Sequence, residues 1–139
     1  VFYTNLNSQK GNELKENPKA AMCFHWKSIL RQIRISGKVT QVEDAVADEY
    51  YNTRSYESRI GAWASKQSEI ISSRKYLLKS IENYKKKFIN KNLPRPKHWS
   101  GWNLIPSTIE FWLDGPNRIH ERLKFSKLKN NWKKVLLSP

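Results

Sequence analysis

The stretch from Ile109 to Arg122 constrains the fold most, because two alternating segments flank a turn signal and so call for an antiparallel pair. Ile109 and Phe111 alternate with Glu110 and Trp112, Asp114-Gly115-Pro116-Asn117 supplies the turn, and residues 118 to 123 read as a second strand. Successive side chains of an extended backbone alternate faces, so Arg118, His120 and Arg122 are expected on one face and Ile119, Glu121 and Leu123 on the other. Such a row suits an anion or an electron-rich ring. On an open edge strand it would be no more than a solvated basic rim.

Upstream, the pattern mixes helix and strand. Val1 to Thr4 is rich in β-formers, and Ser8 as N-cap with Asn17-Pro18 as stop frames a short helix around Gln9 to Glu16. Ala20 to Trp26 is a continuous apolar run of strand length, with Cys23 expected as core filler. Arg31 to Thr40 reads as a half-buried strand with Gly37 at a bulge or close approach. Val42 to about Arg54 reads as a helix on which Val46, Tyr50 and Arg54 recur every four residues, and Ser58 extends the series if the turn continues. Two hydroxyls and a guanidinium are the donors a phosphate monoester needs, although the same spacing also describes a plain surface helix. Ser72-Ser73 caps a longer helix whose Leu77, Ile81, Tyr84 and Phe88 form a packing stripe. A proline-punctuated loop from Leu93 to Gly101 follows, and Asn131 to Leu137 reads as a last strand. The expected class is α+β, mainly β, in a single domain spanning residues 1–139.

Composition narrows the chemistry. The net charge of +14 admits a nucleic-acid-binding domain, but only eight of the 26 basic residues are arginine and the lysines are spread along the chain, so no nucleic acid is expected. His25, His98 and His120 lack zinc-ligand spacing, and a single cysteine offers no pair, so no metal is expected. No glycine-rich phosphate loop and no nucleophile elbow is present. No run is long enough for a membrane span, and the opening residues form neither a basic nor an apolar leader. The single Cys23 can form no internal disulfide, so a reducing, cytoplasmic setting is expected. Phosphate donors, aromatic surfaces and amides remain, a set that fits an organic cofactor carrying the chemistry itself.

These residues also carry a resemblance. Ile109 to Trp112 followed by Arg118 to Arg122 is similar to the C-terminal signature of the pyridoxamine 5′-phosphate oxidases. Val1 to Asn5 with Ser8-Gln9-Lys10, Phe24-His25-Trp26, Arg31-Gln32-Ile33, Ile60 to Ser68 and Pro94 to Trp99 stand in that family's order and spacing, so the likeness spans essentially the whole chain. It implies a flavin-dependent split β-barrel with flanking helices, a C-terminal dimerisation region from about residue 94 to 139, and a homodimer whose two FMN sites lie at the subunit interface. Tyr3, Thr4, Lys10 and Gln32 would contact FMN from one subunit, and Gln67, Ser68, Trp112 and Arg122 from the other. Tyr50, Arg54 and Ser58 would hold the substrate phosphate, with Arg118 and His120 over the pyridine ring as the catalytic pair. The implied reaction oxidises pyridoxamine or pyridoxine 5′-phosphate to pyridoxal 5′-phosphate, with hydride passing from C4′ to the flavin and O₂ reoxidising it to give H₂O₂.

Three departures qualify the resemblance. Gln9 stands where the family usually has an Arg beside the FMN phosphate, Ser55 where it has a Pro, and Arg59 where it has a Gln. Family members also carry, before the Val1 stretch, a strand with an Arg for FMN and a Lys for substrate, so the 139-residue chain, if it is the whole polypeptide, is expected to purify with little or no FMN and to be nearly inactive. A split-barrel protein that binds flavin or a B6 phosphate without turnover is the alternative reading, and a basic nucleic-acid-binding domain the second alternative.

Overall fold

The computed structural model describes residues 1–139, which divide into two compact units. The first, here the helical unit, comprises Val1–Asn17 and Gln41–Asn103; the second, the sheet unit, comprises Pro18–Thr40 and Leu104–Pro139.

In the helical unit, strand β1 (Phe2–Asn5) runs antiparallel to the first residues of β4 (Trp99–Leu113), with Thr4 opposite Ser100 and Asn5 opposite Trp99. Helix α1 (Gln9–Glu16) starts where expected: the Ser8 hydroxyl accepts the Gly11 N–H and donates to Asn5 O at 2.7 Å. Gly11 is needed there because a Cβ would run into the Leu6 and Asn5 carbonyls. The helix read from Val42 onward is two helices, α2 (Asp44–Thr53) and α3 (Tyr56–Ala64). Arg54 takes an extended ψ of 150°, and the Ser55 hydroxyl accepts the Ser58 N–H as the cap of the second helix. A serine able to cap has thus ended one helix and begun another. Helix α4 (Arg74–Lys87) is capped by Ser73 and turns Ile81 and Tyr84 onto a core of Ile60, Phe88 and Leu93, the packing its stripe predicts.

The sheet unit holds β2 (Lys19–Trp26), β3 (Arg31–Gln41), the distal part of β4, β5 (Glu121–Lys127) and β6 (Trp132–Leu137), ordered β2-β3-β4-β5-β6 with β4–β5 antiparallel as expected. Gly37 is a close approach: a Cβ would collide with the Ile105 carbonyl. Two expectations are corrected here. Cys23 is exposed on the edge strand β2 rather than buried, along with Phe24 and Trp26, because an apolar run at a sheet edge has nothing of its own unit over it. Residues 118–120 are not strand: Pro116–Arg118 is a 3-10 turn in which Asn117 and Arg118 adopt positive φ of 54° and 62°, and β5 begins only at Glu121. No helix is long and apolar enough to cross a membrane.

Candidate functional site

The helical unit brings Tyr50, Arg54 and Ser58 together, though by a break between helices and not by one continuous face. Tyr50 lies in the last turns of α2, Arg54 is its C-cap and Ser58 lies in the first turn of α3. Arg54 and Ser58 line a cavity of about 310 Å³ with Asn5, Gln67 and Trp99. Tyr50 and Arg54 line another of about 330 Å³ with Tyr3 and Trp99. Arg54 makes no ion pair, and its Nη1 is buried without a partner. An unpaired guanidinium nitrogen withdrawn from water is costly unless an acceptor arrives, which makes it a ready donor to an oxyanion.

The aromatic rings beside it are parallel. Tyr3 stacks on Tyr50 at 3.9 Å between centroids and on Trp99 at 5.2 Å. Burial, the nearby Tyr50 and Glu49 together raise the Tyr3 hydroxyl above the ordinary tyrosine range, so it stays protonated. Burial likewise raises Tyr51, against the pull of Arg59 and Arg54, and its hydroxyl donates to Arg59 O at 3.0 Å.

Thr4 is buried on β1 with its Oγ1 unpartnered, and Lys10 is exposed on α1. Gln67 Oε1 accepts the Asn5 N–H at 3.3 Å, which leaves its two amide N–H groups to donate elsewhere. Ser68 sits exposed at φ 71°.

The sheet unit gathers Gln32, Trp112 and Arg122 around a cavity of about 510 Å³ whose other walls include Trp26, Ile33, Phe111 and Leu113. Apolar walls with an amide and a guanidinium among them match a flat heteroaromatic ring with a polar rim. Register explains the grouping, since Trp112 and Arg122 are direct cross-strand partners. Arg122 is also neutralised: its Nε and Nη2 both lie 2.9 Å from Glu110 Oε1, and Nη1 donates to Ser138 O at 3.0 Å.

Arg118 is exposed in the turn, while His120 lies against Trp112, ring centroids 4.8 Å apart. The two are therefore not presented in a row with Arg122. His120 Nδ1 is 2.9 Å from Asp114 Oδ1, and the Gly115 N–H approaches the same nitrogen at 3.3 Å. The shorter contact assigns the proton to Nδ1 and leaves Nε2 free to accept.

Four residues escaped the sequence reading. In the sequence Asp114 is a turn residue, Glu110 lies on the polar side of a strand, and Trp99 and Arg95 stand in the proline-punctuated loop, with nothing local to mark their contacts. Arg95 is a buried clamp, donating to Asp48 and Asp44 of α2 at 2.6 Å each and to Trp99 O at 2.7 Å. Burial alone would lower its pKa, but the bonds to Asp48 and Asp44 outweigh burial and raise it. The i,i+4 spacing of Asp44 and Asp48 is the only local signal for a shared cation.

Residues 1–88 match the family model described as pyridoxamine 5′-phosphate oxidase, and residues 99–139 match that of the pyridoxine 5′-phosphate oxidase C-terminal dimerisation region. The pyridoxine/pyridoxamine 5′-phosphate oxidase of Pelagibacter ubique is 72% identical over 141 residues, covering 100% of this chain and 68% of that protein. Its counterpart in Mesorhizobium japonicum is 54% identical with the same coverage of 100% and 68%. Among solved structures, PhzG from Burkholderia lata 383, in complex with tetrahydrophenazine-1-carboxylic acid, superposes with a TM-score of 0.92 at 32% identity, covering 99% of this chain and 67% of that one. A pyridoxamine 5′-phosphate oxidase-related, FMN-binding protein from Nostoc punctiforme superposes with a TM-score of 0.75 at 14% identity, over 99% of this chain and 72% of that one, a likeness of fold alone. The split β-barrel class expected from the sequence is the class of these neighbours.

Proposed function

We propose, for a chain that belongs to the pyridoxamine 5′-phosphate oxidase family, the FMN-dependent oxidation of pyridoxamine or pyridoxine 5′-phosphate to pyridoxal 5′-phosphate, with O₂ as acceptor and H₂O₂ as product. The observation that carries the substrate class is Arg54, whose unpaired guanidinium shares cavities with the Tyr50 and Ser58 side chains. A phosphate monoester takes a charge-assisted bond from the guanidinium and single bonds from the two hydroxyls.

The residues present fit a flavin. Thr4 Oγ1 is a buried polar atom awaiting a partner, Lys10 offers an exposed positive charge and Gln67 has free amide donors, which suits a phosphate and a polar ring edge. Gln32, Trp112 and Arg122 belong to an apolar-walled cavity of the right chemistry for the ring. Tyr3, Thr4, Lys10 and Gln32 of one subunit, with Gln67, Ser68, Trp112 and Arg122 of the other, would hold FMN. When bound, FMN supplies a two-electron acceptor that O₂ can reoxidise. The chain's own groups bind and orient: Arg54, Tyr50 and Ser58 anchor the phosphate end, and fixing one end restricts where the reacting carbon can lie. His120, its Nδ1–H held by Asp114, presents Nε2 as a proton acceptor, and Arg118 adds an exposed positive charge from the turn. A homodimer is part of this reading, supported by the dimerisation-region match over residues 99–139.

Purified protein titrated with FMN should show flavin absorbance that co-elutes with the chain, and adding pyridoxamine 5′-phosphate should release peroxide. A chain that stays colourless at saturating FMN defeats the flavin reading. A yellow chain that releases no peroxide leaves a binding protein without turnover.

A further inference from the structure

We propose that Trp99 is the positioning residue for the Arg54 guanidinium, and through it a determinant of selectivity for phosphorylated substrate; this rests on the assignment of Arg54 to the substrate phosphate. Trp99 is 7% exposed, and Arg54 Cζ lies 4.8 Å from its ring centroid. That distance is within cation–π range, and at a buried site the attraction is stronger than at a surface. No ion pair holds the guanidinium head, and Nη1 has no hydrogen-bond partner. A carboxylate would have held it too, but would also have neutralised the charge a phosphate requires. An aromatic face orients the cation and leaves its N–H edge available.

The indole also organises the rest of the donor set. It lines both the cavity that holds Ser58 and the one that holds Tyr50. Its plane is parallel to that of Tyr50 within 1° and to that of Tyr3 within 7°. The backbone of Trp99 is itself fixed, since its carbonyl accepts from Arg95 Nη1 at 2.7 Å while the same guanidinium holds Asp44 and Asp48. Arg95 therefore ties α2, which carries Tyr50 and ends at Arg54, to the residue on which Arg54 rests. The whole arrangement lies within the helical unit.

The test compares Trp99→Leu, Trp99→Phe and Arg54→Ala in the flavin-loaded protein. Trp99→Leu keeps an apolar side chain but removes the ring, and should raise KM for pyridoxamine 5′-phosphate about tenfold and weaken inhibition by inorganic phosphate in parallel. The change should fall on KM more than on kcat, turnover of non-phosphorylated pyridoxamine should not follow it, and Trp99→Phe should restore most of the loss. KM and phosphate inhibition unchanged in Trp99→Leu while Arg54→Ala weakens both would overturn the role of Trp99 alone. If Arg54→Ala also changes neither, the assignment of Arg54 has failed. Should Trp99→Leu not fold, tryptophans of increasing fluorination placed at position 99 keep the shape and drain the ring's negative face. KM should then climb with each fluorine, and a flat series overturns the proposal.

Discussion

The two units solve the problem of burial in opposite ways. Of the buried hydrophobic residues, Leu14, Ala47, Tyr51, Ile60, Ala64, Phe88, Leu93, Trp99 and Trp102 all belong to the helical unit, and only Val39 to the sheet unit. Both units leave apolar side chains open to solvent, Phe24, Trp26, Ile29, Leu30, Phe111 and Leu136 in the sheet unit and Val1, Ile70, Tyr76 and Ile89 in the helical unit, but the sheet unit has Val39 alone as buried core to set against them. Helices can bury a stripe against one another within a short segment, whereas a ladder of strands buries a face only when something else covers it. The contrast matches the family description of residues 99–139 as a dimerisation region. The helical unit has a core of its own, and the sheet unit has almost none.

Gly37→Val should strike the sheet unit hardest. The new side chain would meet the Ile105 backbone, and the sheet unit has little buried core to absorb the strain. A loss of about 3 kcal/mol or more is expected. Thermal unfolding should show it as a large drop in midpoint; a midpoint within a few degrees of the parent would mean that the β3–β4 approach yields easily.

Arg54→Ala separates the phosphate anchor from flavin binding. Losing a charge-assisted phosphate contact should cost about 2 to 3 kcal/mol, seen as a KM raised by tens to hundreds of times with flavin still bound. Lost flavin with unchanged KM would move the phosphate site elsewhere.

Leu136→Glu tests whether the open face is covered in the assembled protein. Leu136 is 81% exposed, so on a free surface the change should be nearly neutral. Buried against a second copy, an unpaired carboxylate should weaken the dimer by about 2 kcal/mol, and light scattering should then report more monomer. A dimer as tight as the parent's removes Leu136 from the interface.

The smallest effect concerns alkaline pH, and it belongs to the helical unit, which contains all six tyrosines. Tyr3 and Tyr51 have pKa values raised by burial, so between the unfolded tyrosine pKa and the higher folded one the native state binds more protons than the unfolded state. Stability is therefore fully present below about pH 10 and falls as pH rises beyond it. Tyr51→Phe should flatten that fall and lower stability at neutral pH by about 1 kcal/mol, through the lost bond to Arg59 O. Melting curves from pH 8 to 11 that superimpose for parent and variant would contradict it.

Local signals carried the sequence reading far. Ser8 and Ser73 cap the helices they were expected to cap, Gly37 marks a backbone contact, the α4 stripe packs the core, and the β4–β5 pair closes with Trp112 opposite Arg122. Caps, periodicity and turns act over a few residues, so they can be read from neighbours in the chain. The candidate site was half legible by the same means: spacing collected Tyr50, Arg54 and Ser58, although a capping serine rather than helical continuity joins them.

What tertiary structure alone decided lies beyond that range. Alternation placed Arg118 in a strand, but the backbone at Asn117 and Arg118 turns through the left-handed region before β5 begins. The apolar run of β2 was readable as a strand, yet its exposure follows from its place at the sheet edge. Trp99 beneath Arg54, and Arg95 between Trp99 and two aspartates 47 and 51 residues away, are pairings that no spacing announces. A pattern of residues determines which face of an element is apolar or charged; which distant group meets that face depends on how the elements pack.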